Sequence, residues 1–241
     1  MKYGILSDIH GNLEALNACL EFLEGVAAAY ICAGDIVGYG PRPNECVEAV
    51  RKISESAGTV VISGNHDLAA AGLKETSWFN DDAKNAILWT AGVLTNENRD
   101  FISRLKTRVD MPHFTVAHGS PREPEDEYLI DGYAMKENLA FFNTKICFVG
   151  HSHIPLFYDR GLVILADNSK VKVAVRNKAI ASLGSVGQPR DRNPFACAGV
   201  YDDRTGELTV KRFPYNIRKT QEDMAAARLP QPLIDRLALG I

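Results

Sequence analysis

The order of apolar and polar segments constrains this chain more than any other feature of its sequence. In the first 150 residues, short β-like apolar runs alternate with stretches of helical periodicity, the pattern of βα units. A glycine-framed polar segment directly follows each of five apolar runs. The runs are residues 3–6, 30–33, 59–62, 114–117 and 146–149. The functional crevice of an open α/β sheet lies beyond the carboxyl ends of its strands, so we expect the five polar segments to meet at one place.

The spacing of apolar residues also predicts where helices lie. Leucines recur at helical spacing over 13–23, and a similar pattern covers 46–53. We expect one or two further helices within 81–105 and another near 139–142.

The second half of the chain has a different pattern. Consecutive β-like runs predict an antiparallel set of strands, which would form a second sheet. These runs are residues 162–165, 171–175, 196–201 and 208–213. In the terminal segment, residues 218–241, Pro230 and Pro232 limit the chain to two short helices.

Length and charge set the general class of protein. With 241 residues, 46% of them hydrophobic, the chain can form one large core, and we expect residues 1–241 to be a single domain. The 27 basic and 30 acidic residues give a net charge of -3 without long blocks of one sign. Charge therefore gives no support for a nucleic-acid or membrane partner. A homo-oligomer is neither predicted nor excluded.

The cysteines and the apolar runs indicate a compartment. Five cysteines are widely spaced and contain no Cys-x-x-Cys pair, which argues against a disulfide framework or a thiolate zinc site. They are Cys19, Cys32, Cys46, Cys147 and Cys197. The start of the chain has no signal-peptide pattern, and no apolar run approaches the ~18–20 residues needed to span a bilayer. We expect a cytoplasmic protein with no membrane segment.

Five of the six histidines lie in the polar segments that follow the apolar runs, which indicates a metal centre. In Asp8-Ile9-His10, an extended backbone would place Asp8 and His10 on one side and Ile9 in the core. The same geometry would place His151 and His153 together.

Other polar residues allow two interpretations each. Asp35 is either a turn aspartate or a carboxylate whose two oxygens bridge two metal ions. Asn65 is either a turn residue or a metal ligand whose NH2 group donates to a phosphate. His118 is either a core histidine or a ligand, and we interpret His113 as structural.

The motifs together resemble those of a known family. GDIVGYG, GNHD and GHSH occupy residues 34–40, 64–67 and 150–153, and the later loop at 184–191 reads GSVGQPRD. In this order they resemble the calcineurin-like metallophosphoesterase superfamily, and within it the YfcE-like branch of small bacterial phosphodiesterases and phosphatases. The resemblance covers nearly the whole chain. It implies an α/β fold of two facing mixed β-sheets flanked by helices, a four-layer α/β/β/α sandwich.

The resemblance also implies two divalent metal ions, with Mn as the first candidate and Fe, Ni, Co or Zn as others. One ion would be bound by Asp8, His10, Asp35 and His153, and the other by Asp35, Asn65, His118 and His151. The family arrangement leaves His66 without an ion. It would act as a catalytic group beside the phosphate, together with Asn65.

The implied activity is hydrolysis of a phosphate ester by in-line attack of a hydroxide that bridges the two ions. A phosphodiester is favoured over a phosphomonoester. A protein Ser/Thr phosphatase is one alternative, but Gly38-Tyr39-Gly40 replaces the Asp-Arg pair of that branch. Arg122 and Arg190 are candidate phosphate-binding replacements; otherwise they are solvated charges.

Other classes of protein fit the sequence less well. Neither serine segment completes the Gly-x-Ser-x-Gly motif of a serine hydrolase, because residues 150–154 and 183–187 each lack one glycine. The fold is also used by a non-catalytic scaffold that lacks the catalytic histidine. Because His66 is retained here, the sequence favours an enzyme.

Overall fold

The computed structural model describes residues 1–174 and 177–241, and two mixed β-sheets form its centre. Its strands are β1 Lys2–Leu6, β2 Ala29–Cys32, β3 Val60–Val61, β4 Arg108–Asp110, β5 Thr115–Ala117, β6 Ile146–Val149, β7 Pro155–Tyr158, β8 Leu162–Ile164, β9 Lys170–Lys172, β10 Ala179–Leu183, β11 Ala196–Asp202 and β12 Glu207–Phe213. Its helices are α1 Leu13–Leu23, α2 Pro43–Ser54, α3 Asn65–Ala70, α4 Asp81–Val93, α5 Asn96–Ser103, α6 Gly132–Asn138, α7 Ile217–Ala226 and α8 Gln231–Leu237.

Each sheet combines early parallel strands with late strands. The first sheet has the order β3-β2-β1-β11-β12-β9, and the second has the order β4-β5-β6-β10-β7-β8. In the first sheet β1 is parallel to β2 and antiparallel to β11. In the second sheet β6 is parallel to both β5 and β10. The predicted fold class, two facing mixed sheets flanked by helices, is confirmed.

The expectation that the second half would form a sheet of its own is wrong. Strands β9, β11 and β12 join the first sheet, whereas β7, β8 and β10 join the second. Without β11 and β10, β1 and β6 would be edge strands with unpaired backbone groups. The late strands satisfy those groups and close both sheets around one core.

Aromatic side chains from both sheets meet in that core. The ring of Tyr3 in β1 lies 5.0 Å from that of Phe114, which precedes β5. The ring of Phe148 in β6 lies 5.1 Å from that of Tyr201 in β11. All four residues are buried, so the two sheets are held face to face by apolar contact.

Helices cover the outer face of each sheet. Leu16 and Cys19 of α1 and Val47 of α2 share a buried cluster with Leu6 and other residues of the first sheet. Met135 of α6 packs in a second cluster with residues of β6 and β7. These contacts produce the four layers of the sandwich.

The predicted helices correspond to observed ones at most places. Residues 13–23 form α1, and the side chain of Asn12 caps it by accepting a hydrogen bond from the Ala15 amide at 3.2 Å. The 81–105 segment forms two helices, α4 and α5, and the terminal segment forms α7 and α8. Near residue 140 the structure has α6 followed by a short 3-10 helix, Leu139–Phe141.

Three strands have no counterpart in the sequence analysis: β4, β7 and β10. The most important is β10, a fully buried strand between β6 and β7. Because both faces of β10 are covered, its sequence lacks the alternation that marks a half-exposed strand. Of the predicted run 171–175, residues up to 172 lie in β9, and residue 175 lies outside the described residues.

The cysteines lie in the interior of the fold. All five cysteines lie in the described part of the chain, and each is a buried free thiol. Burial raises the pKa of the Cys32 thiol to about 12.

Within the described ranges, 1–174 and 177–241, no helix has the length and apolarity that crossing a membrane requires.

Replacing Phe148 with alanine tests the location of the core. Phe148 is fully buried between the sheets, so we expect Phe148→Ala to lower the free energy of unfolding by ~3–5 kcal/mol. Chemical denaturation measures this change. The matched control is Phe141→Ala, because Phe141 is 45% exposed and its loss should cost less than about 1 kcal/mol. Equal losses in the two variants would contradict this core.

Candidate metal centre

The polar segments after the early strands meet at the carboxyl ends of β1, β2, β3, β5 and β6. Asp8 follows β1, Asp35 follows β2, His118 follows β5 and His151 follows β6. Asn65 is the first residue of α3, shortly after β3. The structure brings together side chains from five loops and buries all of them. The strands belong to two sheets, so the site lies where the two sheets open toward the same side.

Seven predicted ligand positions form two overlapping groups. In each group of Asp and His residues, one ligand atom of every member lies within 4.8 Å of the others. The first group is Asp8, His10, Asp35 and His153, and the second is Asp35, His118 and His151. Asp35 belongs to both groups. Asn65 joins the second, since its Oδ1 lies 3.2 Å from Nε2 of His118.

Backbone carbonyls fix the orientation of the imidazoles in the first group. Nδ1 of His10 donates to the carbonyl of Val37 at 3.2 Å, and Nδ1 of His153 donates to the carbonyl of Gln188 at 2.6 Å. Burial lowers the pKa of both histidines well below its usual value, so each ring is neutral. Their Nε2 atoms therefore carry lone pairs, and these face each other at 3.1 Å. Two facing lone pairs repel each other, and a cation between them would remove this repulsion.

The second group has the same design. Nδ1 of His118 donates to the carbonyl of Ala33 at 2.8 Å, which directs Nε2 toward Asp35 at 3.3 Å. In His151 it is Nε2 that donates, to the carbonyl of Asp126 at 3.2 Å, so Nδ1 is the nitrogen left for a ligand role. In each of the four imidazoles, one ring nitrogen thus donates to a backbone carbonyl, and the other is left for a metal ion.

The backbone at these residues is left-handed, which corrects the expectation of extended tripeptides. The φ angles are +52° at Asp8, +49° at His10, +53° at Asp35, +65° at His151 and +58° at His153. Such angles are uncommon outside glycine and cost of order 1–3 kcal/mol each. The turns let the loops exchange hydrogen bonds, such as that from the His10 amide to the carbonyl of Asp35 at 2.9 Å. Ile9 is fully buried, as predicted.

The charges of the buried groups compensate one another. Burial raises the pKa of Asp8 to about 7. Burial opposes a charge on His118, but the Asp35 carboxylate raises the pKa of that imidazole to about 10. Although burial would raise the pKa of Asp35, the charge of His118 holds it well below its usual range. The carboxylates therefore require nearby positive charge, which a divalent ion in place of the His118 proton would supply.

The donor set fits divalent metal ions. Oδ2 of Asp35 is buried and has no hydrogen-bond donor among the described residues, although imidazole nitrogens lie near it. An oriented carboxylate oxygen of this kind, with imidazole lone pairs and an amide oxygen, is a mixed N/O site for first-row divalent ions. Ions of this kind would satisfy the acceptors of each group.

His66 lies beside the ligand groups but outside both. Its ring centroid is 4.8 Å from that of His10, and its Nδ1 is buried without a hydrogen-bond partner in the described chain. Gly38 backs the ring, because a Cβ at that position would lie 2.5 Å from Nδ1 of His66. Asp67 ties the two loops together by accepting hydrogen bonds from the amides of Val37 and Gly64, each at 3.0 Å.

A cleft of about 610 Å³ opens from this site. Asn65, His66 and His151 form its inner end. Its other lining residues combine four aromatic side chains, Tyr39, Trp78, Phe79 and Tyr128, with polar and charged ones such as Lys74. The ring of Tyr128 stacks on that of His151 at 3.8 Å, and Trp78 is 90% exposed at the mouth. The cleft leads a substrate directly to the candidate ligands.

The two arginines proposed from sequence have different surroundings. Nη2 of Arg190 lies 3.4 Å from the hydroxyl of Tyr39, which places Arg190 at the site. Arg122 is instead at the surface, where it pairs with Glu127 and lies 5.7 Å from the Phe141 ring. The structure therefore does not bring Arg122 to the ligand groups.

Sequence reasoning missed the aromatic wall and one arginine. The sequence distinguishes Tyr39 only as part of the 38–40 segment. Its position between two glycines after β2 is the one signal for a role in the cleft. Trp78 and Tyr128 lie in loops without a motif. Arg236, in α8, lies 4.7 Å from the Tyr39 ring, and no local pattern distinguishes it from other helical arginines.

Comparisons with known proteins identify the family. The profile of the Calcineurin-like phosphoesterase superfamily domain matches residues 1–204. The chain belongs to this superfamily, as its motifs predicted. An uncharacterized protein of Methanocaldococcus jannaschii is 37% identical over 98% of this chain and 97% of its own length.

Solved structures agree with this assignment. The crystal structure of a metallophosphoesterase from Sphaerobacter thermophilus is 38% identical, with a TM-score of 0.90 over 100% of this chain and 99% of that one. A hypothetical protein from Pyrococcus horikoshii shares the fold at 21% identity, with a TM-score of 0.82 over 100% and 98% of the two chains. The protein is thus a member of a phosphoester hydrolase superfamily with a buried His/Asp cluster suited to divalent metal.

Replacing Asp35 with asparagine tests whether the two groups share this carboxylate. Asparagine keeps the shape but removes the charge and one acceptor oxygen, so Asp35→Asn should lower the metal bound per chain after dialysis. Elemental analysis measures the content. Asp100→Asn, at an exposed position in α5, is the control and should bind as much metal as the parent protein. Unchanged content in Asp35→Asn would remove Asp35 from the shared position.

Proposed function

We propose that this protein is a dinuclear-metal phosphoesterase that hydrolyses phosphodiesters in preference to phosphomonoesters. The observation that supports the proposal most is the position of Asp35, which belongs to two ligand groups at once. A carboxylate has two oxygens and can join two ions, whereas a neutral imidazole offers one lone pair. A site for a single ion would not need both groups.

The proposed ligands follow from the two groups. One ion is assigned to Asp8, His10, Asp35 and His153, and the other to Asp35, Asn65, His118 and His151. When bound, two divalent ions lower the pKa of water and stabilise charge on the attacking and leaving oxygens of an in-line displacement. Mn is the proposed ion, and Fe, Ni, Co and Zn suit the same mixed donor set.

His66 and Asn65 are the proposed catalytic and substrate-binding residues. Burial lowers the pKa of His66 to about 4, so its ring is neutral near pH 7 and offers one N–H. His66 lines the cleft, where this N–H would donate a hydrogen bond to a phosphoryl oxygen or to the leaving-group oxygen. The amide of Asn65 would present its oxygen to a metal and its NH2 group to the phosphate.

The shape of the cleft favours diesters. At about 610 Å³ it has room for an organic group much larger than the phosphate itself, and four aromatic side chains in its walls can contact such a group. A phosphomonoester carries one such group, while a diester carries two and gains more from contact with these walls.

A cytoplasmic location is proposed from the reduced cysteines.

We also propose that residues 1–241 act as one domain. The part of the chain after residue 204 packs onto the matched region in several places. Strand β12 pairs with β11 along its whole length. The hydroxyl of Thr220 in α7 donates to Oδ1 of Asn12 at 3.1 Å, and Leu237 of α8 shares a buried cluster with Tyr39.

Activity is tested on protein reconstituted with each metal in turn. The proposal expects faster hydrolysis of bis(4-nitrophenyl) phosphate than of 4-nitrophenyl phosphate, with activity lost on chelation and restored by metal. Inactivity with Mn, Fe, Ni, Co and Zn would instead support the scaffold alternative. A preference for the monoester would overturn the diester assignment while leaving the hydrolase assignment in place.

The His66→Ala variant separates catalysis from metal binding. Because His66 belongs to neither ligand group, the variant should keep the metal content of the parent protein. Its turnover should fall by ~10²–10⁴-fold, the usual effect of losing a general acid–base group. His113→Gln is the control, since His113 is exposed and outside the site. Parent-like turnover in His66→Ala would refute the assignment.

A further inference from the structure

Two arginines converge on Tyr39 at the edge of the site. The guanidinium carbon of Arg236 lies 4.7 Å from the centre of the Tyr39 ring, and that of Arg190 lies 5.9 Å from it. Arg190 lies in the 184–191 loop, whereas Arg236 belongs to α8. They are separated by 46 residues in sequence, the difference between their residue numbers, and only tertiary packing brings them together.

Neither guanidinium has a carboxylate partner within the described ranges. Nη2 of Arg190 donates to the hydroxyl of Tyr39 at 3.4 Å and to Oε1 of Gln188 at 3.0 Å, both uncharged. Nε of Arg190 and both Nε and Nη2 of Arg236 are buried without an acceptor in residues 1–174 and 177–241. Buried charged donors without acceptors are costly to a fold, so this arrangement indicates a missing anion.

The electrostatics agree with an unmet need for negative charge. Burial lowers the pKa of Arg236 and repulsion by Arg190 lowers it further, although Tyr39 and Asp82 offset part of this effect. The charges of Arg190 and Arg236 also oppose protonation of His66, whose pKa is lowered chiefly by burial. The positive field of this arginine pair therefore extends to the catalytic histidine.

The position of the pair identifies the source of the anion. The Tyr39 ring that both arginines contact lies 4.5 Å from the ring of His66 and 4.6 Å from that of His10. Tyr39 also lines the cleft. An anion held beside the Tyr39 ring would thus lie close to the ligand groups. The guanidinium fork matches the oxygens of a phosphate group better than any other donor in proteins.

We propose that Arg190 and Arg236 form a clamp for a phosphate group of the substrate, with Arg236 supplied by a helix outside residues 1–204. The proposal rests on the proposed phosphoesterase function for the identity of the ligand. It gives the terminal helix α8 a role in substrate binding. Leu233, Ile234 and Leu237 of α8 pack into the buried cluster that contains Tyr39, which holds Arg236 in place.

Binding of inorganic phosphate to the metal-loaded protein is the direct test. We expect Arg236→Gln to weaken the Kd measured by isothermal titration calorimetry by about tenfold or more, the usual effect of losing a charge-assisted hydrogen bond. Arg236→Lys should recover part of the loss, because it restores the charge but not the fork. Arg218→Gln is the matched control, since Arg218 is exposed in α7 and pairs with Glu222. Unchanged phosphate affinity in Arg236→Gln would overturn the clamp.

Kinetics then identify which phosphate group the clamp holds. The proposal expects Arg236→Gln to raise KM more than it lowers kcat. A higher KM with bis(4-nitrophenyl) phosphate would place the scissile phosphate in the clamp. A higher KM only with diadenosine diphosphate, which has two phosphates, would place a second phosphate there. If the KM of Arg236→Gln equals that of the parent protein with both substrates, and phosphate binding is also unchanged, the role of Arg236 is refuted.

Two further measurements keep the test decisive. Thermal unfolding shows whether Arg236→Gln remains folded; if it does not, Arg190→Gln tests the same clamp from the loop side. Calorimetry does not require turnover, so the two proposals can fail separately. Phosphate binding that depends on Arg236 in a protein without hydrolase activity would support the clamp and contradict the proposed function.

Discussion

The hydrogen bonds between imidazole rings and backbone carbonyls are the interactions on which the site depends. In His10, His118 and His153 the Nδ1–H group donates to a carbonyl, and in His151 the Nε2–H group does so. Each bond fixes both the tautomer and the direction of the remaining lone pair. The carbonyls belong to distant loops, among them the one that contains Val37. The metal-binding geometry is therefore a property of the packed loops.

Packing the loops this tightly requires an unusual backbone. Asp8, Asp35 and His151 adopt left-handed angles, and these turns bring their side chains toward a common point. The strain persists because the surrounding hydrogen bonds over-determine the conformation. The amide of His151, for example, donates to Oδ1 of Asp8 at 3.0 Å, and the amide of His66 donates to Oδ1 of Asp35 at 2.9 Å. In Asp35 one oxygen thus organises the loops and Oδ2 is left for a cation. In Asp8, Oδ2 accepts from the hydroxyl of Ser7 at 2.6 Å, and Oδ1 lies 3.4 Å from Nε2 of His153.

The terminal segment extends this design. Residues after 204 complete the first sheet through β12 and place α8 against Tyr39. The clamp we infer would couple these terminal elements to the substrate, so the last helix would contribute both to the core and to binding. Such a contribution could not be inferred from the motifs, which end with the 184–191 loop.

The sequence by itself determined the family, the early strands and the polar residues that end them. Motifs such as GNHD and GHSH are local, and a strand followed by a polar loop can be recognised within a few residues. Tertiary structure alone decided that β10 enters the second sheet beside β6, that the turn at His10 is left-handed and that Arg236 reaches Tyr39. These features depend on partners far away in the chain, and a buried strand or a helical arginine leaves no periodic signal of its partner.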